Sequence, residues 1–146
     1  MNNLLDNFGS NCFSEKNLKN RVPDYVVKKF LEIKNGKAEL TLEIADIIAN
    51  AIKMWALEKG ATHYTHWFQP LTDLTAEKHE SFISINSDGT NMAKFSGKDL
   101  MKGESDTSSF PNGGLRSTFE ARGYTAWDIS SPMFLKGEEG SKTLYI

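Results

Sequence analysis

A chain of 146 residues has room for one ordinary domain and not comfortably for two. Its 17 basic and 19 acidic residues, with 39% hydrophobic and 25% charged, give a soluble, globular composition without the clustered basic excess of a nucleic-acid binder. A lone cysteine, Cys12, excludes an internal disulfide framework and a multi-cysteine zinc site. No stretch approaches the roughly 18 consecutive apolar residues of a membrane span.

The N-terminus, Met1 to Asn7, has no basic start followed by an apolar run, so no secretory leader is expected and a cytoplasmic address follows by default. Pro23 suits a first helical turn, where its missing N–H would be unpaired anyway. A helix is predicted from Pro23 to Asn35 on Val26, Val27, Phe30, Leu31 and Ile33, with Gly36 as a left-handed C-cap. A second helix runs from about Leu42 to Lys59, between the N-cap Thr41 and the closing Gly60. Its polar residues Glu43, Asp46, Asn50 and Lys53 form one narrow stripe; nearly everything else is apolar, so it must pack on most of its circumference.

After Gly60 the pattern turns to short extended pieces. Ala61–Gln69, Glu80–Ile85 and Ser117–Trp127 are rich in Thr, Tyr, Phe, Trp and Ile and read as strands. Between them Ser87–Asn91, Lys102–Asp106 and Pro111–Gly114 carry turn chemistry, as does Gly137–Ser141. The final Thr143–Ile146 looks like the opening of another strand, an ending that suggests a longer parent. Helices first and strands afterwards make an α+β fold: N-terminal helices, residues 1–60, then a small sheet, residues 61–146.

Three groups of residues invite a chemical reading. His63, His66 and His79 have the composition of a metal set, but residues three apart on a strand face opposite ways, so His63 and His66 diverge. Ser96-Gly97-Lys98 looks like the end of a phosphate loop. It fails at both diagnostic places, where Met92 stands for the earlier glycine and Asp99 for the following hydroxyl residue. Lys94 and Lys98 then read as a solvated face. The segment Glu104 to Arg116 is the richest, with two carboxylates, three serines, a threonine, two glycines and an arginine in one turn-rich loop. Loops of this composition on a rigid scaffold often carry function. No Ser–His–Asp order or nucleophile elbow can be recovered from it.

The run from Ala51 through Trp67-Phe68-Gln69-Pro70 to Thr72 resembles the N-terminal region of type III glutamine synthetases. So do Phe8–Asn11, Thr75–His79, Ser108–Arg116 and Phe119–Asp128, and the likeness extends from about Phe8 to Ile146. The resemblance implies a small β-grasp-like domain over residues 61–146, completing an active site built mainly by the catalytic domain of a neighbouring subunit in a homo-oligomeric ring. It implies ATP-dependent joining of glutamate and ammonium, with ATP and Mg held beyond this chain and neither expected on this chain alone. Asp106-Thr107-Ser108-Ser109 is similar to the family's Asp-Gly-Ser-Ser loop, with Thr107 in place of the glycine. On that likeness Asp106 is the carboxylate that binds ammonium and draws off its proton, with Ser109 beside it. Arg116 is available to a phosphate or carboxylate. Asp73 and Ile129 stand where relatives are expected to have glycine and proline. The alternative expectation is a stand-alone, non-catalytic module that binds or regulates glutamine synthetase subunits. Neither reading calls for nucleic acid or a membrane.

Overall fold

The computed structural model describes residues 9–66, 79–104 and 124–146. In chain order these form β1 (Cys12–Phe13), α1 (Glu15–Lys19), α2 (Asp24–Lys34), α3 (Leu42–Glu58), β2 (Ala61–Thr65), β3 (Glu80–Ser81), β4 (Ile83–Ile85), β5 (Asn91–Ala93), α4 (Gly97–Met101), β6 (Lys102–Glu104), β7 (Tyr124–Ala126), β8 (Met133–Lys136) and β9 (Lys142–Tyr145). The α+β class expected from the sequence is the observed one.

Each early helix starts for a local reason. Ser14 caps α1 by accepting from the Asn17 N–H at 3.3 Å, and Thr41 caps α3 by accepting from the Ile44 N–H at 3.3 Å. Pro23 is the extended residue just before α2, one position earlier than the first turn expected of it. Gly36 and Gly60 end α2 and α3 with φ of +74° and +89°, a conformation that favours glycine.

The long helix α3 is the centre of the core. Ile44, Ala45, Ile48, Ala49, Ala51, Ile52, Trp55 and Ala56 are all buried, against α1, α2, α4 and β2. A buried Ile at 48 or 52 contributes roughly 1.5–3 kcal/mol relative to an exposed one. Trp55 meets Phe13 edge-on with ring centroids 5.3 Å apart, tying β1 to the helix. The apolar core runs without a break from Leu18 and Phe30 through α3 to Leu135 and Leu144.

The main sheet has the order β1-β8-β9-β2-β3. Its β2–β9 pair is parallel and the others antiparallel, so the chain between β2 and β9 crosses over to bring Thr143–Tyr145 beside His63–Thr65. Two small sheets lie within that crossover, β4–β5 and β6–β7.

Two expectations change. The single strand over Glu80–Ile85 is divided at Phe82, because β3 pairs with β2 whereas β4 pairs with β5. Phe82 is fully buried at this bend; its N–H reaches the Thr62 carbonyl at 3.0 Å and its carbonyl accepts from Lys94 N–H at 2.7 Å. The turn expected at Lys102–Asp106 begins instead as a strand, since Lys102–Glu104 pairs antiparallel with Tyr124–Ala126. Residues 105 and 106 lie outside the described residues, as do the turn at Pro111–Gly114 and residues 117–123 of the expected third strand.

Candidate functional site

The loop with the richest chemistry, Glu104 to Arg116, is approached through its stem. Asp106, Ser109 and Arg116 lie outside the described residues, but both ends of segment 105–123 are described. Glu104 is paired with Tyr124, Gly103 with Thr125 and Lys102 with Ala126, so the segment leaves and re-enters the fold side by side. Below the stem, the Trp127 N–H donates to the Met101 carbonyl at 3.0 Å.

The stem is anchored by α4, which runs directly into β6. Ser96 and Asp99 form a reciprocal capping box at its start. The Ser96 N–H donates to Asp99 Oδ2 at 2.9 Å, and the Asp99 N–H donates to Ser96 Oγ at 3.2 Å. The segment that looked like half a phosphate loop is therefore a helix start. Lys94 and Lys98 are exposed, as expected of a solvated face.

Gly97 takes α4 against the backbone of α3. Its N–H donates to Asp46 Oδ1 at 2.6 Å, and a Cβ at this position would lie 2.5 Å from Asp46 N and 2.7 Å from the Ala45 carbonyl carbon. Asp46, a member of the polar stripe of α3, thus fixes the neighbouring helix. The Ser-x-x-Asp spacing was the available signal for α4; nothing local to the sequence pointed to Asp46.

Aromatic packing supports α4 from the other side. Tyr64, Phe82 and Phe95 pack with ring centroids 4.8–5.6 Å apart, and Leu100 is fully buried in the same core. Tyr64 donates its hydroxyl to Glu80 Oε2 at 3.0 Å. Burial, and then the negative charge of Asp99, push the phenol well above its ordinary value, so it remains a donor.

His66 contacts α4 itself. Its Nε2 lies 3.0 Å from the Leu100 carbonyl, which only accepts, so Nε2 carries the proton. Burial lowers the pKa of His66, against the opposing pull of the Leu100 carbonyl and of Glu80 and Asp99, and keeps the ring neutral. His63 has a different partner, the Thr62 hydroxyl at 2.8 Å from Nδ1, and His79 Nδ1 lies 3.2 Å from Thr143 Oγ1. The three rings are separately engaged. Among the described residues no three His, Cys, Asp or Glu side chains gather as metal ligands would.

Several of the described acidic residues are engaged in structure as well. Glu15 pairs with Lys34 at 2.7 Å, Glu58 holds Arg21 through both carboxylate oxygens at 3.1 and 2.6 Å, and Asp88 and Asp128 cap their own turns. What these elements do together is hold the two ends of segment 105–123 at a defined place: a helix and a two-stranded stem, seated on a packed core.

The α+β unit holds the two ends of segment 105–123 side by side on a two-stranded stem. This chain belongs to the family described as "Glutamine synthetase type III N terminal", which it matches over residues 4–146. It is similar to a glutamine synthetase of Bacteroides fragilis (strain YCH46), with 51% identity over 134 residues, which is 92% of this chain and 18% of that protein. It is also similar to a type-3 glutamine synthetase of Dictyostelium discoideum, with 48% identity over 144 residues, 98% of this chain and 20% of that protein. The chain therefore spans about a fifth of the length of these relatives. No helix among the described residues is long and apolar enough to cross a membrane.

Proposed function

We propose that this chain is the N-terminal portion of a glutamate–ammonia ligase and completes an active site at a subunit interface through its 105–123 loop. The observation that carries the reading is the family match over residues 4–146, joined to a stem that brings both ends of the loop to one place. Residues 61–146 then serve as the β-grasp-like unit and residues 1–60 as its helical support. In favour of that division, every described helix longer than five residues precedes Gly60 and every described strand but β1 follows it.

Asp106 is the residue proposed to do chemistry. A carboxylate beside ammonium stabilises the cation and can accept its proton, leaving ammonia with a free lone pair to attack an activated glutamate carboxyl. Ser109 sits three residues on in the same loop and orients the site. ATP and Mg belong to the full-length enzyme, and no step here is routed through either. The assembly is a homo-oligomeric ring in the cytoplasm, with glutamate and ammonium as substrates.

The test uses the full-length protein and this chain side by side. Asp106→Asn in the full-length enzyme should reduce kcat/KM for ammonia by ~10²-fold or more while leaving ATP affinity within about twofold. The 146-residue chain alone should make no glutamine from glutamate, ammonia and ATP. Turnover by the isolated chain would refute its incompleteness, and unchanged ammonia kinetics in the variant would remove Asp106 from the site. A full-length enzyme indifferent to both Asp106 and Ser109 would favour a non-catalytic interaction module.

A further inference from the structure

The β4–β5 hairpin turns one row of backbone groups away from its own ladder. Its register pairs Ile83 with Ala93, Ser84 with Met92 and Ile85 with Asn91. At the two ends of that ladder the Lys94 N–H donates to the Phe82 carbonyl at 2.7 Å, and the Asn86 N–H donates to the Thr90 carbonyl at 2.7 Å. In an antiparallel pair, positions that exchange hydrogen bonds alternate with positions that do not. Because Phe82–Lys94 and Asn86–Thr90 bond, Ser84–Met92 is the bonded pair between them. The N–H and C=O groups of Asn91 and Ala93 therefore point away from β4. Among the described residues no third strand lies beside β5 to receive them.

The two edges of the hairpin are not equivalent. On the β4 side the Ile83 N–H is taken by Ser81 Oγ at 3.1 Å, which leaves Ile85 alone. On the β5 side both outward positions are open, and Asn91 and Met92 are exposed. Neither strand carries a charged residue or a proline, the usual guards of a sheet edge against further pairing. Three residues are few for an open-ended stack of strands, but enough for a contact that closes after two copies.

We propose that β5 is a contact between two copies of this chain, pairing antiparallel with its own counterpart about a two-fold axis at Met92. In that register Asn91 stands opposite the partner's Ala93, and each such pair exchanges both of its N–H···O bonds. Met92 meets the partner's Met92. One place further along, Lys94 comes opposite the partner's Thr90. Asp88 Oδ1 accepts from the Thr90 N–H at 2.9 Å and from the Thr90 hydroxyl at 2.6 Å, so a carboxylate is held at the position that faces the incoming lysine. Symmetry makes this charge match twice, which favours a second copy over an unrelated strand. Ile83 and Ile85 lie on the strand farther from the axis, outside the contact. The pairing does not depend on the chemistry proposed for Asp106, nor on a ring, which joins unlike surfaces where this contact joins like to like.

The test is sedimentation equilibrium of the 146-residue chain up to about 1 mM, with backbone amide signals followed over the same range. The average mass should climb from that of one copy toward that of two, with a Kd of about 0.1–0.5 mM, as suits so small a contact. The Asn91 and Ala93 amide signals should move with it. Ala93→Pro removes an outward N–H and spares the β4–β5 bonds, so it should weaken pairing about tenfold or more. Lys94→Glu should weaken it about threefold or more, and raised salt should do the same to the parent. Ile85→Ser should leave the Kd within about twofold. If Ala93→Pro disturbs the fold, Lys94→Glu and Ile85→Ser decide between them. A chain that stays monomeric throughout, or a dimer indifferent to Ala93→Pro and Lys94→Glu, would overturn the proposal. So would a dimer that Ile85→Ser dissolves, since that contact would run through the apolar face of the hairpin instead of its edge.

Discussion

Helix α3 and the β4–β5 hairpin are both rich in large apolar residues, and the fold treats them in opposite ways. Ile48 and Ile52 of the helix are fully buried, whereas Ile83 and Ile85 of the hairpin are 52% and 76% exposed. The helix repeats its apolar positions around most of its circumference and finds α1, α2, α4 and β2 waiting on different sides. Among the described residues the hairpin is two short strands with no third beside it in its sheet, and β-strands so arranged draw little stability from themselves. Apolar content alone therefore does not locate the core; the number of elements that can reach a residue does.

Breaking that comparison at its strongest point should give the largest effect. Trp55→Ala should cost about 3–5 kcal/mol in denaturant unfolding, whereas Ile85→Ser should stay within about 0.5 kcal/mol of the parent. Equal costs would mean that the hairpin is part of the folded core. Next comes Gly97→Ala, whose methyl group would meet backbone atoms of Asp46 and Ala45 that cannot rotate away. A loss of about 1–3 kcal/mol is expected, and a neutral result would show that α4 does not pack this tightly on α3. Thr41→Ala should remove about 1 kcal/mol by uncapping α3, and Thr41→Ser should restore most of it.

The smallest effect is one of pH. Burial depresses the pKa of His66 in the fold, so the unfolded chain takes up a proton more readily. The contribution of His66 to stability is therefore full above its unfolded value near 6.5 and falls as the pH drops below it. The lowered carboxylates Glu15 and Asp128 act in the same direction, but only in a window below their ordinary values of 4.5 and 3.8. Unfolding midpoints at pH 7.5 and 5.5 should differ in the parent and converge in His66→Gln. A pH slope unchanged by that substitution would assign the effect to another group.

How far the sequence could be read depended on the distance over which each element is specified. The helices α2 and α3 were legible to within a residue or two, because Pro23, Gly36, Thr41 and Gly60 punctuate them locally. The two-residue β1 was not, since Cys12 and Phe13 become a strand only by pairing with Phe134 and Met133. Strand β8 went unread for the same reason, and α4 because Ser96-Gly97-Lys98 drew attention to phosphate chemistry rather than to the Ser96–Asp99 capping box. The division at Phe82 follows from burying one ring between two sheets, which no local spacing announces. Asp106 and Ser109 were reached through resemblance alone; what the structure adds is the stem Lys102–Glu104 with Tyr124–Ala126.

The central claim is that a carboxylate carried by this stem works on ammonium in a site completed elsewhere. The most direct measurement is the ammonia dependence of glutamine synthesis by the full-length enzyme with Asp106 intact and with Asp106→Asn. The account predicts a loss of ~10²-fold or more in kcat/KM for ammonia, with ATP binding nearly unchanged. Equal ammonia dependence in the two proteins would contradict it.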